Sequence, residues 1–230
     1  LDSKQLSKRL ATIAKYVPNG CRLLDVGSDH AYLPAYLAIH HVIQHGIASE
    51  VAKGPYTNMV NEIKSTGLEK MLTPRLANGL HAITLSDHVN VITISGMGGE
   101  LIKDILDQGQ AKLANHPLLI LQPNVDAYIL RKWLMMHHYQ LIHETIVDDH
   151  HEIYEIMVAK WTTQSFKYNH QQLFFGPFLL KQKSPVFIKK WHDERRHLEF
   201  VIKQMNRSSK PPLKRIKAIQ HRCQLIKEVL

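Results

Sequence analysis

Apolar positions along the first two thirds of the chain alternate between two periods. Leu6, Leu10, Ile13 and Ala14 recur at helical spacing, and residues 22–26 then read as a buried strand. The pattern continues with a helix at 32–41, a strand at 46–50 and a helix at 54–66 whose Pro55 suits a first turn. A short strand at 74–78 and a clear buried strand at 89–95 follow. A Gly-rich turn leads into a helix at 100–108, a strand at 117–122 and a helix at 125–138 carrying Ile129, Leu130, Trp133 and Leu134. Ile153, Ile156 and Val158 favour β structure, so 140–148 and 152–160 read as adjacent strands. Alternating strands and helices closed by a strand pair predict an α/β domain. Its sheet is mainly parallel and seven-stranded, with a hairpin as the last two strands.

After Trp161 the period changes. Ile188, Trp191, Arg195, Leu198, Ile202 and Met205 fall at spacings of three and four, as do Ile216, Ile219, Cys223, Ile226 and Leu230. Asn206-Arg207-Ser208-Ser209-Lys210-Pro211-Pro212 breaks the helix between the two stripes. This predicts a coiled-coil-like α-helical hairpin as a C-terminal appendage, and a division of the chain into 1–161 and 162–230. Arg195 is out of place on its apolar stripe.

Charge follows the same division. Residues 1–160 hold 14 Lys/Arg and 16 Asp/Glu, whereas 161–230 hold 15 and 4, so all of the +9 net charge comes from the last third. That one-sided field points to a polyanionic partner, nucleic acid before an anionic membrane; a merely solvated Lys-rich surface is the bland alternative. No apolar stretch approaches the ~20 residues of a membrane span. Leu1-Asp2-Ser3-Lys4-Gln5 lacks signal-peptide character, and two cysteines so far apart as Cys21 and Cys223 imply a reducing, cytoplasmic setting.

Candidate chemistry gathers at the predicted carboxyl ends of the strands, the edge at which open α/β sheets bind ligands. Leu23-Leu24-Asp25-Val26-Gly27-Ser28-Asp29-His30-Ala31-Tyr32 has one glycine and an Asp-His pair where a dinucleotide fold would show G-x-G-x-x-G. Asp29 reads either as a helix cap or as a proton acceptor. Glu50 stands where an acid can accept ribose hydroxyls, or it is a surface Glu. Asn78-Gly79 can read an adenine edge or make an ordinary turn. Ser95-Gly96-Met97-Gly98-Gly99 allows close backbone approach, and Gln122-Pro123-Asn124 presents fixed amides. Sixteen histidines invite a metal reading. Asp148-Asp149-His150-His151, however, is placed on a hairpin turn at the chain's far side and is expected to be solvated, and no metal site is expected.

Five segments in order, Leu24-Asp25-Val26-Gly27-Ser28-Asp29-His30-Ala31-Tyr32-Leu33-Pro34, Gly54-Pro55-Tyr56, Arg75-Leu76-Ala77-Asn78-Gly79-Leu80, Ser95-Gly96-Met97-Gly98-Gly99 and Leu121-Gln122-Pro123-Asn124, resemble the bacterial tRNA (adenine-22-N1) methyltransferases. Asn78 departs from that family's frequent Asp. The resemblance implies a class I, Rossmann-like methyltransferase fold, S-adenosylmethionine as cofactor and tRNA as substrate. It implies cofactor contacts at Asp25, Gly27, Ser28, His30, Glu50, Asn78, Gly79, Ser95 and Gly96, and a catalytic Asp29. The target base would meet Tyr32, Met97, Gly98, Gly99, Gln122, Pro123 and Asn124. The tRNA backbone would meet Lys189, Lys190, Arg195 and Arg196, with Lys203, Arg207, Lys210, Lys214, Arg215 and Lys217 as further charges. A monomer is favoured. A small-molecule or protein methyltransferase, or a non-catalytic RNA-binding protein on the same fold, are the alternatives.

Overall fold

In the computed structural model, residues 5–207 and 211–230 are described; Leu1-Asp2-Ser3-Lys4 and the Ser208-Ser209-Lys210 part of the predicted helix break lie outside them. The chain divides into two compact units, Leu1–Tyr168 and Asn169–Leu230.

The first unit is a seven-stranded sheet built from β1 (Cys21–Val26), β2 (Ile43–Glu50), β3 (Leu72–Leu76), β4 (Val91–Met97), β5 (Leu118–Pro123), β6 (Tyr139–Asp149) and β7 (Glu152–Trp161). The strand order is β3-β2-β1-β4-β5-β7-β6. The first five strands pair in parallel, and β7 pairs antiparallel with both β5 and β6. Five helices belong to this unit: α1 (Lys8–Ala14), α2 (Tyr32–Ile39), α3 (Lys53–Ser65), α4 (Gly99–Gln108) and α5 (Ala127–Met136). Leu23, Leu24, Ile92, Ile94, Leu119 and Leu121 are fully buried, as a strand covered on both faces requires. The order reverses between β1 and β4, so the crevice at their carboxyl ends is the switch point at which a ligand site belongs.

Two expectations need correcting. The turn Asp148-Asp149-His150-His151 is not on the far side from the candidate edge. Because β7 runs antiparallel to β5, with Leu121 opposite Met157, the start of β7 returns to the carboxyl edge of the parallel strands. There the Arg9 backbone N–H donates to Asp149 at 2.9 Å. The unit boundary also falls after Tyr168 rather than after Trp161. The Leu141 N–H donates to the Tyr168 hydroxyl at 3.0 Å, which holds the connecting segment on the sheet unit.

Among the described residues the second unit has four helices rather than two: α6 (His170–Phe175), α7 (Pro177–Gln182), α8 (Pro185–Met205) and α9 (Leu213–Val229). Asn169 and Gln172 form a capping box at the start of α6, and Gly176 turns with φ 89° into the Pro177 start of α7. The short α6 carries Phe174 and Phe175 onto Trp191, at ring-centroid distances of 5.3 and 4.6 Å. Two amphipathic helices alone bury too little apolar surface for an independent unit; this aromatic cluster completes the core.

The histidines have a structural explanation. His30, His41, His88, His116, His138, His150 and His151 all have positive φ, the left-handed region that normally falls to glycine or asparagine. His116 gains a stacking contact with Trp161 at 3.7 Å. His41, His88 and His138 are exposed on separate turns. Replacing each of these three by Gly is expected to stabilise the protein by roughly 0.5–1 kcal/mol, and the effects should add. Urea unfolding of the triple variant checks this; a lower midpoint would contradict it.

Candidate active site

The carboxyl ends of β1, β2 and β4 and the loop after β3 enclose one groove in two halves. The first half, about 280 Å³, is lined by Arg9, Asp25, Ser28, Asp29 and Tyr32 among others. The second, about 210 Å³, is lined by Glu50, Val51, Asn78, Gly79, Leu101 and Ile105 among others. Gly27, Ser95 and Gly96 line both and join the halves.

The floor is a polar network. Asp25 pairs with Thr93 across β1 and β4 and is buried. Its carboxylate accepts from the Thr93 hydroxyl at 2.5 Å and from the Ser28 hydroxyl. The Gly27 and Ser28 N–H groups both donate to the Ser49 carbonyl, at 2.9 and 3.1 Å. Gly27 has φ 67°, the left-handed backbone that favours glycine, and a Cβ there would displace the tip of the Met97 side chain. Beyond it, His30 (φ 57°) and Ala31 (φ 54°) are both left-handed, a strained turn ahead of α2.

Asp29 does not cap that helix: the residue ahead of α2 is Ala31, and no side chain bonds the helix end. The Asp29 side chain is 67% exposed in the groove, 3.6 Å from His30 Nε2. His30 stacks on Tyr32, a groove-lining residue, at 5.1 Å. Glu50 is nearly buried and accepts from the Val51 N–H at 3.2 Å and from the Asp29 backbone. Burial, first, raises its pKa above the usual carboxylate range, and the neighbouring Asp29 charge adds to this.

Gln122, Pro123 and Asn124 act one layer back. Gln122 is buried; its Oε1 accepts from the Gly96 N–H at 3.0 Å and its amide donates to Asn124 Oδ1 at 3.0 Å. Asn124 in turn donates to the Gly96 carbonyl at 2.9 Å. These amides fix the Ser95–Met97 turn, and Pro123 pairs opposite Met97. Gly99 packs on backbone: a Cβ there would lie 2.5 Å from the Asp126 carbonyl oxygen. Gly98 begins α4 beside Val125.

Arg9 escaped the sequence reading. On α1 it shows only as a charge on a polar face. It donates to Gln122 Oε1 at 2.6 Å, its guanidinium sits 5.3 Å over the Tyr154 ring, and it lines the groove. Only the fold brings residue 9 to residue 122.

Burial raises the Asp25 pKa to about 6, against the opposing hydrogen bonds from Ser28 and Thr93; the Glu50 charge adds to the rise and Arg9 counters it. The folded value lies above the unfolded one, so between about pH 4 and pH 6 the folded state retains a proton that the unfolded chain has lost. Stability from this group is present below pH 4 and falls as pH rises through 6, by about 2–3 kcal/mol. Asp25→Asn should therefore gain on the wild type across that window. Urea midpoints from pH 4 to 7 test this, and parallel curves would refute it.

The family model for tRNA (adenine(22)-N(1))-methyltransferase matches residues 23–228. The chain belongs to this family. The tRNA (adenine(22)-N(1))-methyltransferase of Bacillus subtilis (strain 168) is 37% identical over 100% of this chain and 99% of its own. A Streptococcus pneumoniae relative solved in complex with S-adenosyl-L-methionine is 43% identical, with a TM-score of 0.90 over 98% of this chain and 100% of that one. The M. capricolum member solved with S-adenosyl-homocysteine is 25% identical, with a TM-score of 0.85 over 97% and 96%. As a member of this methyltransferase family, the chain has its groove at the edge where the fold binds ligands.

Proposed function

We infer that the chain transfers a methyl group from S-adenosylmethionine to N1 of adenine 22 in tRNA. The observation that carries this is the family match over residues 23–228, on a chain whose strand ends enclose one continuous groove.

The residues present fit the cofactor. Glu50 and Asn78 offer an acceptor and an amide to a nucleoside, with Val51, Leu101 and Ile105 as apolar walls. Asp25 and Arg9 bring opposite charges to the other half, as an α-amino-acid group requires. Gly27, Ser95 and Gly96, between the halves, leave room for close approach. When bound, S-adenosylmethionine supplies an electrophilic methyl on its sulfonium.

The protein's own task is alignment and charge. Adenine N1 lies on the pairing edge, so the base must leave its helix to react. Tyr32, on the groove wall, offers a ring for that base to stack on. Methylation at N1 leaves a positive charge on adenine and acidifies its N6 amine. The Asp29 carboxylate stabilises that charge or accepts the proton. The basic second unit holds the tRNA. Among the described residues no helix is long and apolar enough to cross a membrane. The reading includes a monomer working in the cytoplasm, consistent with two unpaired cysteines.

The test is methyl transfer from labelled S-adenosylmethionine to two tRNA transcripts, one with adenine and one with guanine at position 22. N1-methyladenosine from the first alone is expected. Cofactor binding with no transfer to either would favour the non-catalytic reading.

A further inference from the structure

The positive charge of the second unit is not spread evenly in effect. Toward the start of α8 the cations are answered. Lys189 lies 3.7 Å from Asp193, and Arg196 is hydrogen-bonded to the same carboxylate. Arg195 lies 3.5 Å from Glu199, and Lys190 sits 5.1 Å over the Trp191 ring. Arg222, from α9, reaches Glu194 at 2.8 Å. That last pair also fixes the two helices as antiparallel neighbours, so the end of α8 and the start of α9 form one tip.

At that tip the picture reverses. Lys203 and Arg207 at the end of α8, and Lys214, Arg215 and Lys217 at the start of α9, are all exposed. Among the described residues none of the five pairs with a carboxylate; Asp193, Glu194 and Glu199 are taken up by Lys189, Arg196, Arg222 and Arg195. Phe200 is 58% exposed and precedes Lys203 by three residues, on the same helix face, with Arg207 just past the helix end. An exposed aromatic ring in line with unanswered cations is the surface that grips single-stranded or looped RNA: cations on phosphates, the ring under a base.

We propose that the tip of the α8–α9 hairpin, rather than the Lys189–Arg196 stretch, is the principal tRNA-binding surface of this unit, with Phe200 stacking on an unpaired base. This rests on tRNA being the substrate. Five phosphate contacts would make binding steeply salt-dependent, with each contact adding ~0.7–0.9 to the slope of log affinity against log salt.

The test compares full-length variants by methyl transfer and by tRNA binding across a salt series. Replacing Lys203, Arg207, Lys214, Arg215 and Lys217 by Ala should raise the KM for tRNA by roughly 30-fold or more and flatten the salt slope by about 3–4. The KM for S-adenosylmethionine should not move. Replacing Lys189, Lys190 and Arg196 by Ala should change the tRNA KM by less than about 3-fold, since Asp193 already holds Lys189 and Arg196 and Lys190 lies over the Trp191 ring. Phe200→Ala should weaken binding several-fold without altering the slope. Apart from Lys190, which is partly buried, these side chains are exposed, and unchanged melting curves confirm intact variants. An equal or larger loss from the Lys189 set, or no loss from the tip set, overturns the proposal. A wild-type protein that fails to methylate tRNA would instead strike the reading beneath it.

Discussion

Arg131→Met is expected to be the most destabilising single substitution in the sheet unit, costing about 3–5 kcal/mol. Arg131 lies on α5 with no exposed surface. It donates to Glu144 on β6 at 2.7 Å and to Glu155 on β7 at 2.5 Å, and both carboxylates are buried as well. Burial works against the arginine's charge, but the two carboxylates more than offset it and hold its pKa above the ordinary value. Removing the cation leaves two like charges in the core without the guanidinium that bonds both. For a unit of this size that loss lowers the melting temperature by roughly 10 °C. Methionine fills much of the same volume, so the penalty comes from the orphaned charges more than from a cavity. The triple variant Arg131→Met/Glu144→Leu/Glu155→Leu separates the two causes: it should recover most of the loss. A single variant that melts within 2–3 °C of wild type would refute the argument.

This triad also shows where the sequence stops being informative. Apolar period alone placed all seven strands within a few residues and put Asp25, Glu50, Asn78, Ser95 and Gln122 at strand ends, because buried parallel strands are written in runs of Val, Ile and Leu. Pairing between distant polar residues leaves no such trace. A single charge on an amphipathic helix, as Arg131 and Arg9 each are, carries no mark of whether it faces solvent. Glu155, breaking the run Ile153–Val158, was the one visible sign of a buried partner. Gln122 and Asn124 were legible as amides at a strand end, but not as the clasp that bonds both faces of Gly96. In the second unit, helical period exposed α8 and α9 but not α6 and α7, which are too short to repeat. Their capping box and Gly-Pro start were the available signals. The charge excess was plain from composition, whereas which cations are answered depended on helix-face geometry.

Asp29→Asn is expected to lower kcat for tRNA methylation by roughly 100-fold or more while leaving S-adenosylmethionine affinity within about 3-fold. The geometry separates the two effects. Asp25 and Glu50 are buried at the floor of the groove beside Gly27, and their loss should disturb cofactor binding and folding together. Asp29 instead lines the groove with a largely exposed side chain, and its backbone is held by Glu50. Asparagine keeps the shape of that side chain and the backbone bond but removes the charge. If the carboxylate balances the cationic adenine formed by N1 methylation, the loss appears in kcat and not in cofactor binding. Calorimetric titration with the cofactor and single-turnover methylation of an adenine-22 transcript give the two numbers. Full turnover with normal binding would remove Asp29 from the chemistry and leave it as a turn residue. A matching loss of cofactor affinity would make it part of the binding floor instead.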